Sequence, residues 1–164
     1  MLTTPSVQQR EEQQYVAIRT TVAMNDIPKE LPPLIPQVMD WLGKHNITPA
    51  GPLFFQYRHM DANNNLVAEV GYPVSKPAQA DGKIIAGSFP GGKYATITYQ
   101  GDYSRIRDAH RELDKWVKGQ GLKEKVIQSP EGAEWGGRIE SYVKGPESGP
   151  DATQWKTDIL YLVG

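Results

Sequence analysis

The chain has 164 residues, with 18 Lys and Arg against 19 Asp and Glu, so its formal net charge is -1. This near-neutral balance argues against a protein that binds nucleic acid through bulk charge. The absence of Cys excludes disulfides, thiolate catalysis and zinc ribbons. No apolar run approaches the roughly 18 residues of a membrane span, and the polar N-terminus lacks the apolar stretch of a secretory signal. We therefore expect a cytoplasmic protein without direct nucleic-acid or membrane interactions.

The first half of the chain predicts a strand, a helix and a hairpin. A polar lead, residues 1–12, precedes a strand at 15–19 that is rich in β-branched and aromatic residues. A helix is predicted from near Pro33, because proline is tolerated in the first turn of a helix but not further inside. Strands at 53–59 and 66–74 then form a hairpin around an Asn-rich turn.

The second half predicts the same order of elements. Asp102 is a suitable N-cap for a helix with apolar residues at 106, 109, 113 and 117. Pro90-Gly91-Gly92 is interpreted as a hairpin turn, and residues 122–137 as a long irregular stretch of the kind that often carries function. The predicted strands of this half are 83–89, 93–99, 138–144 and 155–163.

The two halves match in sequence as well as in element order. Trp41 matches Trp116 near the end of each helix, and Tyr57 matches Tyr142 in a strand. We infer a duplication of a βαββ unit, about 13–75 and 83–163, within one domain that spans residues 1–164. The predicted fold is α+β: two pseudo-symmetric units form a mainly antiparallel sheet with two principal helices on one face and a central ligand groove. We expect the groove on the face that the helices leave open, because a groove between repeats is a common ligand site.

Strand alternation selects the candidate site residues. Glu140 points away from Ile139, which we assign to the helix-packing face, and Glu69 is a second acid inside a strand. A carboxylate within a strand is unusual unless it is solvent-exposed or used, and a solvated sheet edge remains an alternative for both. Trp41 and Trp116 are interpreted as core residues. The three histidines have no metal-ligand spacing with acids, so we expect no metal site.

Several short motifs occur in a fixed order: Tyr15-Val16-Ala17-Ile18-Arg19, Glu69-Val70-Gly71-Tyr72-Pro73-Val74, Phe89-Pro90-Gly91-Gly92-Lys93-Tyr94-Ala95, Gly101-Asp102-Tyr103 and Glu140-Ser141-Tyr142. Over about residues 10–163 this series resembles the GyrI-like small-molecule-binding domain, the effector-binding part of AraC-type and MerR-type multidrug regulators. The resemblance implies a paired βαββ fold that binds lipophilic, often cationic, molecules, with the recognition glutamate at Glu140. Asp158 departs from most members of the family, which carry Glu at this position. Because no helix-turn-helix precedes the domain, we expect a standalone member.

Three functions follow from this resemblance. The first is a binding protein for lipophilic, cationic drugs or metabolites, with no cofactor. The second is a hydrolase of cyclopropane-bearing natural products, in which Glu140 is the general base and Tyr57 a hydrogen-bond donor. The third is a regulator of a protein partner, such as a gyrase inhibitor. The candidate ligand-binding residues are Glu140, Tyr57, Tyr142, Phe55, Trp135, Trp155, Glu69 and Tyr103.

Overall fold

A computed structural model describes all 164 residues as an α+β fold with ten strands and three α-helices. The helices are α1 (Ile27–Glu30), α2 (Leu34–Lys44) and α3 (Ile106–Gly119). No helix is long and apolar enough to cross a membrane. The strands are β1 (Ser6–Arg10), β2 (Gln13–Ala23), β3 (Phe54–Met60), β4 (Asn65–Pro73), β5 (Ile84–Phe89), β6 (Gly92–Gln100), β7 (Val126–Ser129), β8 (Gly132–Trp135), β9 (Arg138–Lys144) and β10 (Lys156–Val163).

The strand pairing shows two units with the same arrangement. In the first unit, β2 pairs with β4 and β4 with β3, while in the second β6 pairs with β10 and β10 with β9. Each unit has its helix between its first and second strands, α2 in one and α3 in the other. The units join through an antiparallel contact between β3 and β9, where Phe55 lies opposite Glu140. The predicted pair of βαββ units is therefore confirmed, with its pseudo-twofold axis at this contact.

Strands β1 and β5 make the sheet curl. The strand order is β1-β6-β10-β9-β3-β4-β2-β5, so β1 and β5 lie at opposite ends. Two residues, Glu11 and Glu12, nevertheless connect β1 to β2, and Pro90 and Gly91 connect β5 to β6. Such short connections require the two ends of the sheet to approach one another. The interpretation of 90–92 as a hairpin turn was wrong, because β5 pairs with β2 and not with β6.

Both principal helices cover the face that carries Glu140. Residues paired across an antiparallel sheet have side chains on the same face, and one such row is Ile18, Val70, Phe55, Glu140, Ile159 and Ile97. Ile18 packs with Val38 and Leu42 of α2 at one end of the row. Ile159 packs with Leu113 of α3 near the other end. The prediction that Glu140 faces away from the helices was therefore wrong.

The opposite face is closed. Tyr15, Phe54, Tyr94, Ile139 and Leu160 form a core there, each at most 3% exposed. These residues come from five different strands, which the curl of the sheet brings together. Ile139 thus packs inside the curled sheet and not against a helix. The expected open face does not exist, and the aromatic residues around Glu140 pack against Ile35 of α2 and Ile106 of α3.

Three strands lie where the sequence predicted none. β1 falls in the polar lead, and β7 and β8 form a hairpin inside the stretch interpreted as irregular. Strand β8 pairs with the end of β3. Gly132 has a φ of 122°, and a Cβ atom there would lie 1.9 Å from the Met60 carbonyl oxygen, so only glycine fits this contact. β1 has no apolar alternation and all its residues are exposed, so hydrophobic patterning could not reveal it.

Candidate functional site

Glu140 lies at the centre of the sheet and is almost completely buried, with 5% of its surface exposed. Its Oε1 accepts hydrogen bonds from the hydroxyl groups of Tyr57, at 3.1 Å, and Tyr142, at 2.5 Å. Its Oε2 lies 2.6 Å from Nε2 of His110, which α3 places over the sheet. No Lys or Arg forms a salt bridge with this carboxylate. Glu140 is therefore a buried acid held by three donor groups, without a permanent cation in contact.

The hydrogen bonds keep Glu140 ionised. Burial raises the pKa of its carboxyl, but the hydrogen bond and the charge of His110, together with the bonds from Tyr142 and Tyr57, outweigh burial, and the pKa lies below the usual 4.5. Burial and the neighbouring Glu140 charge raise the pKa of both tyrosines well above 10.0, so their hydroxyl groups keep their protons and donate. The site thus presents a negative charge shielded from water at neutral pH.

A chain of polar contacts continues from Glu140 toward the surface. Nδ1 of His110 lies 2.6 Å from the hydroxyl oxygen of Tyr161, and this oxygen accepts a hydrogen bond of 2.9 Å from Nη2 of Arg138. Arg138 also donates to Glu124, at 2.8 and 2.9 Å, and to Asp114, at 3.2 and 3.4 Å. The chain contains three carboxylates and one permanent cation, Arg138. The hydrogen-bonded network as a whole therefore has an excess of negative charge.

Aromatic rings extend from the carboxylate to the protein surface. The ring of Phe55 packs edge-on against Tyr142, with centroids 4.9 Å apart, and Tyr142 contacts Tyr103 at 5.6 Å. Tyr103 packs against Trp155 at 5.2 Å and is 37% exposed. Five of the predicted site residues therefore gather with Glu140: Phe55, Tyr57, Tyr142, Tyr103 and Trp155.

Glu69 does not join this group. It is fully buried on the opposite face of the sheet, in register with Arg19 and Gln56. Its Oε1 accepts hydrogen bonds from Tyr15, at 2.5 Å, and Gln56, at 2.9 Å, while Oε2 accepts two from Arg19, at 2.7 and 2.9 Å. All its nearby donors are engaged within the protein. The structure thus separates Glu69 from Glu140 and gives it the surroundings of a structural residue.

Trp135 lies between the Glu140 group and a neighbouring cavity. Its ring packs against the cluster that contains Phe55 and Tyr142, and Arg138 lies over it at 5.0 Å. The cavity, about 550 Å³, is lined by Trp135, Arg138 and the C-terminal half of α3, but not by Glu140. We base the site on Glu140 and not on this cavity, because the ionised carboxylate and its hydrogen-bond donors carry the recognisable chemistry.

His110, Arg138 and Tyr161 were not among the predicted site residues. His110 follows Ile106 by four residues and precedes Leu113 by three, so it falls on the apolar stripe of α3. A polar residue on such a stripe was the signal that could have found it. No group of three or more His, Asp or Glu side chains is placed to hold a metal ion.

A buried charge and a series of aromatic rings thus lie on the sheet face that the helices of both units cover. The chain belongs to the GyrI-like family, since the model for the GyrI-like small molecule binding domain matches residues 3–160. This confirms the resemblance found in the sequence. No curated protein matches the sequence.

Solved structures show the same fold at low sequence identity. The EcmrR C-terminal domain matches with a TM-score of 0.74 and 21% identity, over 98% of this chain and 97% of that domain. EcmrR in a DNA complex matches with a TM-score of 0.74 and 22% identity, and this chain spans only 57% of it. SAV2435 bound to tetraphenylphosphonium matches with a TM-score of 0.63 and 11% identity, over 99% of this chain and 94% of that one.

Proposed function

We propose that this domain binds lipophilic organic cations, with Glu140 as the recognition charge and the surrounding aromatic rings as the apolar wall. The observation that carries the proposal is the buried, ionised carboxylate of Glu140, which has no Lys or Arg partner. A charge in these surroundings attracts a cation more strongly than the same charge in water. The bound tetraphenylphosphonium of SAV2435, a protein with the same fold, is consistent with this ligand class.

The aromatic residues supply the second half of the recognition. A lipophilic cation gains from the apolar area it buries and from contacts with the faces of aromatic rings. Tyr103 and Trp155 lie at the exposed end of the ring series, and we expect a ligand to enter there. Partly buried Ile35, at the start of α2, and Ile106, at the start of α3, pack against the inner rings. We expect these side chains to move aside when a ligand reaches Glu140.

The expected contribution of Glu140 follows from Coulomb's law. A cation whose charge lies about 6 Å from the carboxylate gains about 3 kcal/mol at an effective dielectric constant of about 20. This energy corresponds to roughly a hundredfold in affinity. Glu140→Gln keeps the shape of the side chain and removes the charge, so it should weaken cation binding by about that factor.

Calorimetric titration with two ligands of the same shape tests the proposal. Tetraphenylphosphonium should bind the wild-type protein. The isosteric anion tetraphenylborate should bind the wild-type protein no more tightly than it binds the Glu140→Gln variant. Glu131→Gln, at an exposed position in the β7–β8 turn, is the control for loss of one negative charge. If both ions bind the wild-type protein equally, or if Glu140→Gln leaves tetraphenylphosphonium binding unchanged, the proposal is wrong.

Hydrolysis is the second candidate function, and the contacts of Glu140 are compatible with it. An ionised carboxylate beside two hydroxyl donors, Tyr57 and Tyr142, has the groups that a general base and a hydrogen-bond donor need. If Glu140 is a base, Glu140→Gln should abolish the turnover of a cyclopropane-bearing test substrate while substrate binding persists. If it is only a recognition charge, no turnover will be measured with the wild-type protein and binding alone will change.

A further inference from the structure

His110 lies directly against the carboxylate that the proposed cationic ligand would approach. Its Nε2 lies 2.6 Å from Oε2 of Glu140, and an ionised carboxylate can only accept, so Nε2 carries a hydrogen and donates. A neutral imidazole leaves the negative charge of Glu140 available to a ligand. A protonated imidazole at the same distance neutralises that charge from within the protein. The charge of His110 therefore decides how much attraction a cation experiences.

The surroundings of His110 accept either protonation state without breaking a hydrogen bond. In the neutral state, Tyr161 donates its hydroxyl hydrogen to Nδ1, and Arg138 donates to the Tyr161 oxygen. In the protonated state, Nδ1 donates to the Tyr161 oxygen, and the hydroxyl hydrogen turns to the main-chain carbonyl oxygen of His110, 3.3 Å away. Every donor then keeps an acceptor in both states, so rotation of one hydroxyl group is enough to accommodate the proton.

The charged and titratable groups around His110 come from several elements. On the sheet side, Glu140 and Arg138 come from β9, Tyr57 from β3 and Tyr161 from β10. Asp114 follows His110 by one turn of α3, and Glu124 lies beyond the helix, but both are engaged by Arg138. Glu140 is thus the one carboxylate in direct contact with the imidazole ring. A proton on His110 therefore acts mainly on the charge of the Glu140 carboxylate.

We propose that His110 is a specificity-determining residue that competes with cationic ligands for Glu140, so that the domain loses selectivity for cations as His110 takes up a proton. This inference rests on the proposed function, because it concerns regulation of the same site. A ligand that competes with one proton loses up to about tenfold in affinity for each unit by which the pH falls through the range in which that proton is taken up.

The test measures the dissociation constant of tetraphenylphosphonium, whose own charge does not change with pH, from pH 5.5 to 8. Binding to the wild-type protein should weaken about tenfold toward the acid end, whereas binding of the neutral ligand triphenylphosphine oxide should change less than twofold. His110→Gln keeps a donor toward Glu140 but cannot take up the proton, so its cation affinity should be independent of pH. His45→Gln and His59→Gln are the matched controls and should keep the wild-type dependence.

The outcomes separate this inference from the function on which it rests. If tetraphenylphosphonium binds at pH 8 but its affinity does not change with pH, or changes equally in His110→Gln, the role of His110 is refuted and the proposed function stands. A neutral ligand with the same pH dependence as the cation also refutes it, because the effect would then be structural. If tetraphenylphosphonium binds at no pH, the proposed function fails and the inference fails with it. The comparison of cation and neutral ligand needs no variant, so it holds even if His110→Gln does not fold.

Discussion

Replacing Glu69 by Gln should destabilise the protein and leave ligand binding intact. The fully buried carboxylate accepts four hydrogen bonds, from Tyr15, from Gln56 and twice from Arg19. A Gln side chain keeps one acceptor oxygen, but an NH2 group replaces the other. This NH2 group would then face either Arg19 or the pair Tyr15 and Gln56, which are all hydrogen-bond donors. The least costly orientation turns the amide toward Arg19, which is 52% exposed on its side chain and can move into solvent.

The size of the effect follows from this orientation. Two charge-assisted hydrogen bonds, from Tyr15 and Gln56, become ordinary ones, and each conversion costs about 1 kcal/mol. Loss of the half-exposed Arg19 contact adds at most about 1 kcal/mol. The free energy of unfolding should therefore fall by about 2–3 kcal/mol, and the melting temperature by about 5–10 °C for a chain of this length.

Urea unfolding followed by tryptophan fluorescence measures this change, since the chain contains 4 Trp residues. Tyr15→Phe is the matched variant: it keeps the ring contacts with Phe54 and Phe89 but removes one donor to Glu69. We expect it to cost about 1–2 kcal/mol, and the double variant should cost less than the sum of the two. The reasoning is refuted if Glu69→Gln changes stability by less than about 0.5 kcal/mol, or if it removes tetraphenylphosphonium binding from a folded protein.

Three further predictions concern other parts of the structure. Gly71→Ala should destabilise the protein by more than about 2 kcal/mol, because the new Cβ would lie 2.0 Å from the Val16 carbonyl oxygen. Gly43→Ala in α2 places its Cβ in open space and should stabilise the protein by up to about 1 kcal/mol. Thermal unfolding measures both changes. Tyr142→Phe removes a donor to Glu140 and should raise the pKa of that carboxyl in a carbon-13 NMR titration. Because folding lowers the pKa of Glu140, its ionised form stabilises the protein above pH 4.5 and this contribution disappears on acidification. The stability difference between wild type and Glu140→Gln should therefore shrink as the pH falls below 4.5 in urea unfolding.

The sequence predicted the fold where its patterns were local or repeated. Matched positions such as Tyr57 and Tyr142 predicted the two similar units, because each unit has the same alternation of strand and helix. The strand pairing of β1 and β5 could not be predicted in this way. Each of these strands pairs outside its own sequence neighbourhood, and β1 has no buried face to impose a pattern.

The candidate site was predicted in its composition but not in its position. Alternation placed Glu140 and Tyr142 on one face and Ile139 on the other, as the structure shows. It could not say which face the helices cover, because both faces of a curled sheet are buried and apolar residues occur on each. His110 reached the site only through the packing of α3 on β10, a tertiary contact that spacing within the helix does not reveal. Glu69 was grouped with Glu140 because alternation shows which residues of one strand share a face, but not which face of another strand lies on the same side of the sheet.

The most direct test of the account is a crystal structure of the protein with tetraphenylphosphonium. We expect the phosphorus atom between α2 and α3, with phenyl rings against Phe55, Tyr142 and Trp155 and the carboxylate of Glu140 within about 6 Å. Residues at the starts of both helices should be displaced to admit it. A ligand in the cavity beside Trp135, or on the Glu69 face of the sheet, would contradict the assignment of Glu140 as the recognition charge.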